Sequence, residues 1–253
     1  MTRELKVKSI LITQNLPESG KSVFDELEQK HKLKIDYRSF IQINPEPVRE
    51  LRNQRLNILD HTAVILTSKN AIDNFFRIAE EMRVELPHTF KYFCANESIS
   101  NYIQKYIQVR KRKVFFGKGP ESDFLKMIKT HCKENFLFPC SDIRKPSIPD
   151  FFTHHKIIFT EAIMYRTVSA DLSDLKEVFY DIIVFFSPAD IKSLFDNFPD
   201  FVQNDTRLAA FGSTTHQAIE DASLIIDILA PSSEHPSMLS AIAAYVQKAN
   251  NNN

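Results

Sequence analysis

Short runs of consecutive apolar residues recur along the chain. Their unbroken hydrophobicity is typical of strands that are buried on both faces, as in a parallel sheet covered by helices. We predict strands at Ile10–Ile12, Ala63–Leu66, Tyr92–Cys94, Val114–Phe116, Phe136–Phe138, Ile182–Phe186, Leu208–Phe211 and Leu224–Ile228.

Between these runs, apolar residues recur at three- and four-residue spacing, which predicts amphipathic helices. The predicted helices are Ala71–Ala79, Ile99–Ile107, Asp123–Thr130, Ala189–Phe195 and Thr215–Glu220. Because strand and helix alternate along the chain, the predicted fold class is α/β, with parallel sheets flanked by helices.

One strand–turn–helix pattern occurs twice. Val64–Phe76 and Val184–Phe195 each combine an apolar strand, a hydroxyl-bearing turn and an amphipathic helix, and a second strand–turn–helix follows each copy. Ser68 and Ser187 are 119 residues apart, and Ser98 and Thr215 are 117 apart. The similar offsets indicate one module used twice, although short strand–helix units also resemble one another by chance.

Two segments rich in β-favouring residues can connect the modules. We predict linker strands at residues 36–41 and 162–168. If they pair, the chain leaves one domain, builds the other and returns. The first domain is then discontinuous, made of residues 1–35 and 169–253, and the inserted domain spans residues 42–161.

Composition narrows the class of partner. The 253 residues include 32 Lys plus Arg and 32 Asp plus Glu, a balance that argues against a nucleic-acid partner. Three cysteines form no disulfide framework and favour a reducing compartment. The first fifteen residues have too short an apolar run for a secretory signal, and no run approaches the length of a membrane span. The sequence therefore predicts a cytoplasmic protein without a membrane partner.

Hydroxyl-rich turns mark the candidate binding positions. Thr67–Ser68, Ser187–Pro188 and Gly212–Thr215 each follow a predicted strand and precede a predicted helix. Ligands of open α/β sheets bind at this edge, and a helix N-terminus attracts anions. Ser and Thr are also preferred N-caps without any ligand, and both roles can coexist. The glycine spacing excludes a dinucleotide fingerprint and a Walker-type phosphate loop.

Several segments resemble those of uroporphyrinogen-III synthases, and together they cover nearly the whole chain. The best match is Leu208–Ala218, which is similar to the family's apolar strand followed by Gly-x-Thr-Thr-x-x-Ala. Further similar segments are Ile183–Asp190, Val64–Ala71, Phe136–Arg144, Met164–Val168 and Ala230–Leu239. The family's early Thr-Arg-Pro is Thr13-Gln14-Asn15 here, and Ser98 stands where the family has Thr.

This resemblance implies a fold of two similar α/β domains with flavodoxin-like topology, joined by a two-stranded linker. It implies cyclisation of hydroxymethylbilane to uroporphyrinogen III in the cleft between the domains, with loss of water and inversion of ring D. The linear tetrapyrrole supplies the reacting electrons, so neither a metal nor an organic cofactor is implied. A monomer that receives its substrate from hydroxymethylbilane synthase is expected.

The resemblance also implies site residues. Tyr165 corresponds to the family's candidate general acid, although a linker tyrosine can instead pack its ring and bond its hydroxyl to backbone. The expected substrate-binding residues are Thr67, Ser68, Asn70, Ser98, Ser187, Gly212, Ser213, Thr214 and Thr215. A non-catalytic two-domain binding protein or sensor for an anionic ligand, and a partner-binding scaffold, are the alternative functions.

Overall fold

The computed structural model describes residues 5–17, 20–110 and 112–251. Its strands, in chain order, are β1 (Ser9–Ile12), β2 (Lys34–Tyr37), β3 (Ile41–Pro45), β4 (Ala63–Leu66), β5 (Lys91–Cys94), β6 (Val114–Phe116), β7 (Phe136–Ser141), β8 (Phe159–Ser169), β9 (Ile182–Phe185), β10 (Arg207–Phe211) and β11 (Ile226–Ala230). Its α-helices are α1 (Asp25–His31), α2 (Val48–Asn53), α3 (Lys69–Glu81), α4 (Glu97–Tyr102), α5 (Glu121–Lys129), α6 (Ser147–His155), α7 (Pro188–Asn197), α8 (Ser213–Asp221) and α9 (Met238–Asn251).

The chain forms two compact units. Unit 1 contains the described residues up to Gln42 together with those from Val168 onward, and unit 2 is Ile43–Thr167. Each unit has its own sheet, so the predicted α/β class with parallel sheets is confirmed. Among the described residues, no helix combines the length and hydrophobicity that crossing a bilayer requires.

Unit 1 has a five-stranded sheet in the order β2-β1-β9-β10-β11, and all its neighbouring strands are parallel. Numbered within the unit, this order is 2-1-3-4-5, which is the flavodoxin-like arrangement. Successive connections leave β1 and β9 in opposite directions, so the switch point of the sheet lies between their carboxyl ends.

Unit 2 has a six-stranded sheet in the order β3-β8-β7-β4-β5-β6. Strands β4 to β8 are parallel to their neighbours, whereas β3 is antiparallel to β8, since Phe40 bonds to Ala170 and Glu46 bonds to Met164. Without β3, and numbered within the unit, the order is 5-4-1-2-3, which differs from the 2-1-3-4-5 order of unit 1. The connections that follow β4 and β7 lead in opposite directions across the sheet. The switch point of unit 2 therefore lies between the carboxyl ends of β4 and β7.

Burial on both faces explains the unbroken apolar runs. In β4, Val64 and Leu66 pack into one hydrophobic cluster, whereas Ala63 and Ile65 pack into another on the opposite face. All four side chains are fully buried. Burying a side chain of the size of Val, Leu or Ile contributes about 1.5–3 kcal/mol, so a polar residue at any of these positions would weaken a core.

The predicted linker at residues 36–41 falls across two strands. Asp36 and Tyr37 belong to β2, which pairs in parallel with β1 in the sheet of unit 1, and Ile41 begins β3. β2 is an edge strand in which only Ile35 is buried, and Lys34 bonds to Asp36 on its polar side at 2.7 Å. The linker was predicted from β-favouring residues such as Tyr37 and Phe40, which do not distinguish an edge strand from a connector.

Candidate functional site

A cavity of about 440 Å³ lies at the switch point of unit 2. It is bordered by residues that end or follow four neighbouring strands, and these include Ser68 after β4, Asn96 after β5, Ser141 in β7 and Tyr165 in β8. Ligands of doubly wound sheets bind at such a point because the loops diverge there and leave a crevice. Unit 2 therefore has the geometry of a ligand site.

Tyr165 and Ser68 meet in this cavity. The Tyr165 hydroxyl lies 3.2 Å from Ser68 Oγ, which also accepts the backbone N–H of Ala71 at 3.0 Å. Ser68 is therefore the N-cap of α3 and a partner of the tyrosine at once. The Tyr165 ring packs in a hydrophobic cluster and the residue is 6% exposed, yet it lines the cavity.

Burial sets the protonation state of Tyr165. Desolvation raises its pKa above the ordinary value of 10, the neighbouring Cys140 raises it further, and the hydrogen bond with Ser68 lowers it in part. Because only the anionic form is penalised by burial, the phenol stays protonated at neutral pH. The hydroxyl is therefore a proton donor and not a base.

The other predicted residues of unit 2 are spread along the same edge. Thr67 lines the cavity beside Ser68. Asn70 is exposed in the first turn of α3, and its carbonyl accepts the side-chain amide of Asn74 at 3.0 Å. Ser98 is exposed on α4 and lines a neighbouring cavity. The structure thus brings Thr67 and Ser68 to Tyr165 but leaves Asn70 and Ser98 outside its cavity.

The switch point of unit 1 is organised by a buried carboxylate. Asp190 Oδ2 accepts the backbone N–H groups of Phe186 and Ser187 at 3.0 and 2.9 Å. The hydroxyl of Thr13, at the end of β1, lies 3.2 Å from the same oxygen. Asp190 is 2% exposed. It therefore joins the end of β1 to the first turn of α7 and holds Ser187 in place.

The side chains of the Gly212–Thr215 motif point in different directions, because they lie in and just before the first turn of α8. Gly212 has φ = +88°, a conformation that favours glycine, and its N–H donates to Ala230 at 2.8 Å. Ser213 and Thr214 are exposed. Thr215 is 1% exposed, and its hydroxyl has no hydrogen-bond partner among the described residues. Two of the three hydroxyls thus face solvent and the third faces the core.

One known protein family matches most of the chain. The family model described as "Uroporphyrinogen-III synthase HemD" matches residues 23–240. The chain belongs to the uroporphyrinogen-III synthase family. No curated protein sequence matches the chain.

Two solved structures share the fold of this uroporphyrinogen-III synthase family member. One is a uroporphyrinogen-III synthetase from Helicobacter pylori, with 16% identity, a TM-score of 0.61 and coverage of 95% of this chain and 99% of that one. The other is a mutant uroporphyrinogen III synthase from Thermus thermophilus, with 12% identity, a TM-score of 0.57 and the same coverage. At this identity, the likeness concerns the fold.

Membership of the uroporphyrinogen-III synthase family defines the reaction class. The chain is a cyclising hydro-lyase of haem biosynthesis, and its substrate is a small molecule. The predicted activity is therefore confirmed, and the alternative of a non-catalytic binding protein or sensor is not favoured.

Arg144, Lys145 and Ser141 also line the cavity of Tyr165 and were missing from the predicted site. Ser141 and Arg144 belong to the segment Phe136–Arg144, whose resemblance to the uroporphyrinogen-III synthases was the available signal, and Lys145 follows it directly. Their proximity to Ser68 depends on the pairing of β4 with β7, which a local pattern does not contain.

Replacing Ser68 by alanine is expected to lower the free energy of unfolding by about 1 kcal/mol, because α3 loses its N-cap. It should also raise the pKa of Tyr165 further, since the hydrogen bond from Ser68 lowers it. Denaturant unfolding and absorbance titration of Tyr165 measure the two effects. Ser98→Ala is the control, because Asn96 caps α4 and Ser98 is exposed. Equal stability losses in both variants would contradict the capping role.

Proposed function

We propose that the chain performs the reaction of its family with Tyr165 as the general acid. The observation that supports this role is a protonated, largely buried hydroxyl that lines the switch-point cavity of unit 2, 3.2 Å from Ser68. A positioned acid of this kind accelerates the departure of a poor leaving group. Hydroxide is such a leaving group, and hydroxymethylbilane must lose it first.

The reaction requires the protein to donate one proton. As the C–O bond of the substrate breaks, the Tyr165 hydroxyl delivers its proton to the departing oxygen, and water leaves behind an azafulvenium cation. Attack by a substituted carbon of the last ring gives a spiro intermediate, which fragments and recloses with that ring inverted. A proton is released when the last pyrrole regains aromaticity, so Tyr165 recovers its proton and the net loss is one water.

Substrate carboxylates require a second set of groups. Each ring carries an acetate and a propionate, and helix N-termini with hydroxyls suit such anions. We assign this role in unit 2 to Thr67, Ser68, Asn70 and Ser98, and in unit 1 to Ser187, Gly212, Ser213, Thr214 and Thr215. Holding a flexible chain folded contributes to the rate through positioning, which is distributed over many contacts.

Thr214→Ala is expected to raise KM about twofold to tenfold without changing kcat, because the substrate carboxylate loses one hydrogen bond from a neutral, solvent-exposed hydroxyl. Thr214 is exposed in the first turn of α8, so the substitution should leave the fold unchanged. Steady-state kinetics with hydroxymethylbilane measure the effect. Gln217→Ala, one turn along the same helix, serves as the control with an unchanged KM. A wild-type KM for Thr214→Ala would argue against the contact.

The isomer of the product tests the proposed function as a whole. Hydroxymethylbilane closes spontaneously to isomer I, so only a catalyst that inverts the last ring yields isomer III. Chromatography of the oxidised porphyrins after incubation with the protein should show isomer III. Isomer I alone, from a folded protein, would favour a binding protein or scaffold.

We further propose a cytoplasmic monomer that takes hydroxymethylbilane directly from hydroxymethylbilane synthase. The three cysteines are free thiols, which suits a reducing compartment. Rapid spontaneous closure of the substrate favours a short path between the two enzymes. Light scattering of the purified protein and isomer ratios at increasing amounts of the synthase test the two parts.

We also propose that the units are separate domains, made of residues 1–35 with 169–253 and of residues 42–161, with residues 36–41 and 162–168 as linker strands. The compact units change over at Gln42 and Ile43 and again at Thr167 and Val168, which supports this division. Two separate unfolding transitions in calorimetry would support this division, and a single cooperative transition would argue against it.

A further inference from the structure

The loop between β7 and α6 places two cations in the cavity of Tyr165. Arg144 and Lys145 line this cavity together with Ser68 and Tyr165. Neither cation takes part in the proton transfer or in the carboxylate contacts assigned above. Their position beside the reacting group raises the question of what they bind.

Arg144 uses only part of its hydrogen-bonding capacity. Its guanidinium forms an ion pair with the carboxylate of Glu161 on β8, and the two side chains are 33% and 27% exposed. Among the described residues, the guanidinium bonds to no other group. Because a guanidinium has five N–H donors in a planar fork, donors remain for a second carboxylate.

The charges of the residues that line the cavity favour an anion. Glu121 is the one carboxylate among the cavity's described lining residues, and it accepts the Ser147 hydroxyl at 2.9 Å. The nearby Asp142 accepts Ser141 Oγ at 2.9 Å and the Thr167 N–H at 3.0 Å. Lys145 is exposed and has no carboxylate partner among the described residues. The cavity lining therefore carries two cations and one acid.

The amino end of α6 adds to the same wall. Ser147 and Ile148, the first residues of this nine-residue helix, line the cavity next to Arg144. Amides in a first helical turn lack intrahelical acceptors and favour negative charge. The helix end therefore complements the cations that precede it.

We propose that Arg144 and Lys145 form a carboxylate-binding subsite, in which Arg144 binds one acetate or propionate of the tetrapyrrole. This inference rests on the proposed function and deepens it, because the subsite anchors the substrate beside the Tyr165 hydroxyl. Glu161 pairs with the same guanidinium and competes with the substrate carboxylate for it. A structural alternative makes Arg144 only a clamp between β7 and β8.

Two substitutions, each of which replaces a charged side chain by a neutral one, distinguish a carboxylate-binding subsite from a clamp. Arg144→Gln removes both the ion pair and the cation, whereas Glu161→Gln removes the ion pair and keeps the cation. For a subsite, Arg144→Gln should raise KM for hydroxymethylbilane about tenfold to hundredfold, the range of a hydrogen bond to a charged group. Glu161→Gln should leave KM unchanged or lower it. Equal effects of both substitutions on KM would overturn the proposal in favour of the clamp.

Further variants guard against a folding defect. Arg144→Lys should recover part of the lost affinity, because it restores the charge without the fork. Lys145→Gln changes an exposed residue and should raise KM about threefold to tenfold. Arg52→Gln, an exposed arginine of α2 in the same unit, is the matched control with an unchanged KM. An unchanged KM in Lys145→Gln and Arg144→Gln would overturn the subsite.

Formation of isomer III by the wild-type protein distinguishes a failure of the subsite from a failure of the proposed function. If the wild type forms isomer III while Arg144→Gln keeps the wild-type KM, the subsite is wrong and the proposed function stands. If the folded wild type gives isomer I alone, the proposed function fails and the subsite fails with it. Thermal unfolding of each variant confirms that KM is compared between folded proteins.

Discussion

Tyr165→Phe is expected to lower kcat about 10²- to 10⁴-fold, which is the usual contribution of a general acid. KM should stay near the wild-type value, because the ring keeps its packing in the core of unit 2 and only the hydroxyl is lost. Initial rates of isomer III formation measure the effect. The substitution removes one hydrogen bond, to Ser68, so the helix cap at Ala71 survives.

The control is Tyr102→Phe. The Tyr102 hydroxyl also belongs to unit 2 but bonds to the carboxylate of Asp73 at 3.0 Å and does not line the cavity. Its removal should leave kcat unchanged. Since burial raises the pKa of Tyr165 above 10, the acid is present at neutral pH and the midpoint of the alkaline loss of activity should lie above pH 10. A folded Tyr165→Phe protein with wild-type kcat would remove the acid role.

Strands that are buried on both faces could be predicted because their signal is local. All eight predicted apolar runs became strands, with shifts of a few residues at the ends, as in β11, which begins at Ile226 instead of Leu224. Each run contributes side chains to two hydrophobic clusters, one on each face of the sheet, as Val64 and Ile65 do in β4. No arrangement of neighbours is needed to recognise such a strand.

Elements with one-sided or sparse burial escaped prediction. α1 buries only Leu27 among seven mostly charged residues, so its periodicity is weak. α6 contains Pro149, which normally argues against a helix but is tolerated in the first turn. β8 spans Phe159–Ser169, yet only Ala162, Met164 and Tyr165 of its eleven residues are buried, and only residues 162–168 were predicted, as a linker.

The candidate site likewise contains residues that a local sequence pattern could predict and residues that it could not. Thr67 and Ser68 could be predicted because they follow a recognisable strand, and β8 lies next to β7, which pairs with β4 and thus brings Tyr165 close. Arg144 required the sheet order, which is set by contacts distant in sequence. The burial of Thr215 beside the exposed Thr214 required the rotational phase of α8, which the motif does not specify.

Asp190→Ala is expected to lower the free energy of unfolding by about 2–4 kcal/mol, because it leaves the N–H groups of Phe186 and Ser187 without their acceptor. It also removes the link between the end of β1 and α7 through Thr13. Denaturant unfolding at neutral pH measures the loss.

Asp190→Asn provides the matched control for this prediction. The two N–H donors and the Thr13 hydroxyl all converge on Oδ2, so one amide oxygen can replace that acceptor. Burial raises the pKa of Asp190 above the ordinary 3.8, although hydrogen bonds from Phe186 and Ser187 oppose the rise. A carboxyl whose pKa is higher in the folded state stabilises the fold as pH falls from that folded pKa toward 3.8, and this gain is absent at neutral pH.

The free energy of unfolding of Asp190→Asn should therefore lie within about 1 kcal/mol of the wild-type value at neutral pH. The variant should lack the stability gain that the wild type shows as pH falls from the folded pKa of Asp190 toward 3.8. Comparing the pH dependence of unfolding for the wild type and Asp190→Asn isolates this single group, because the other carboxylates are common to both. If Asp190→Asn were as unstable as Asp190→Ala, the negative charge itself and not the shared acceptor oxygen would hold the end of β1 to α7.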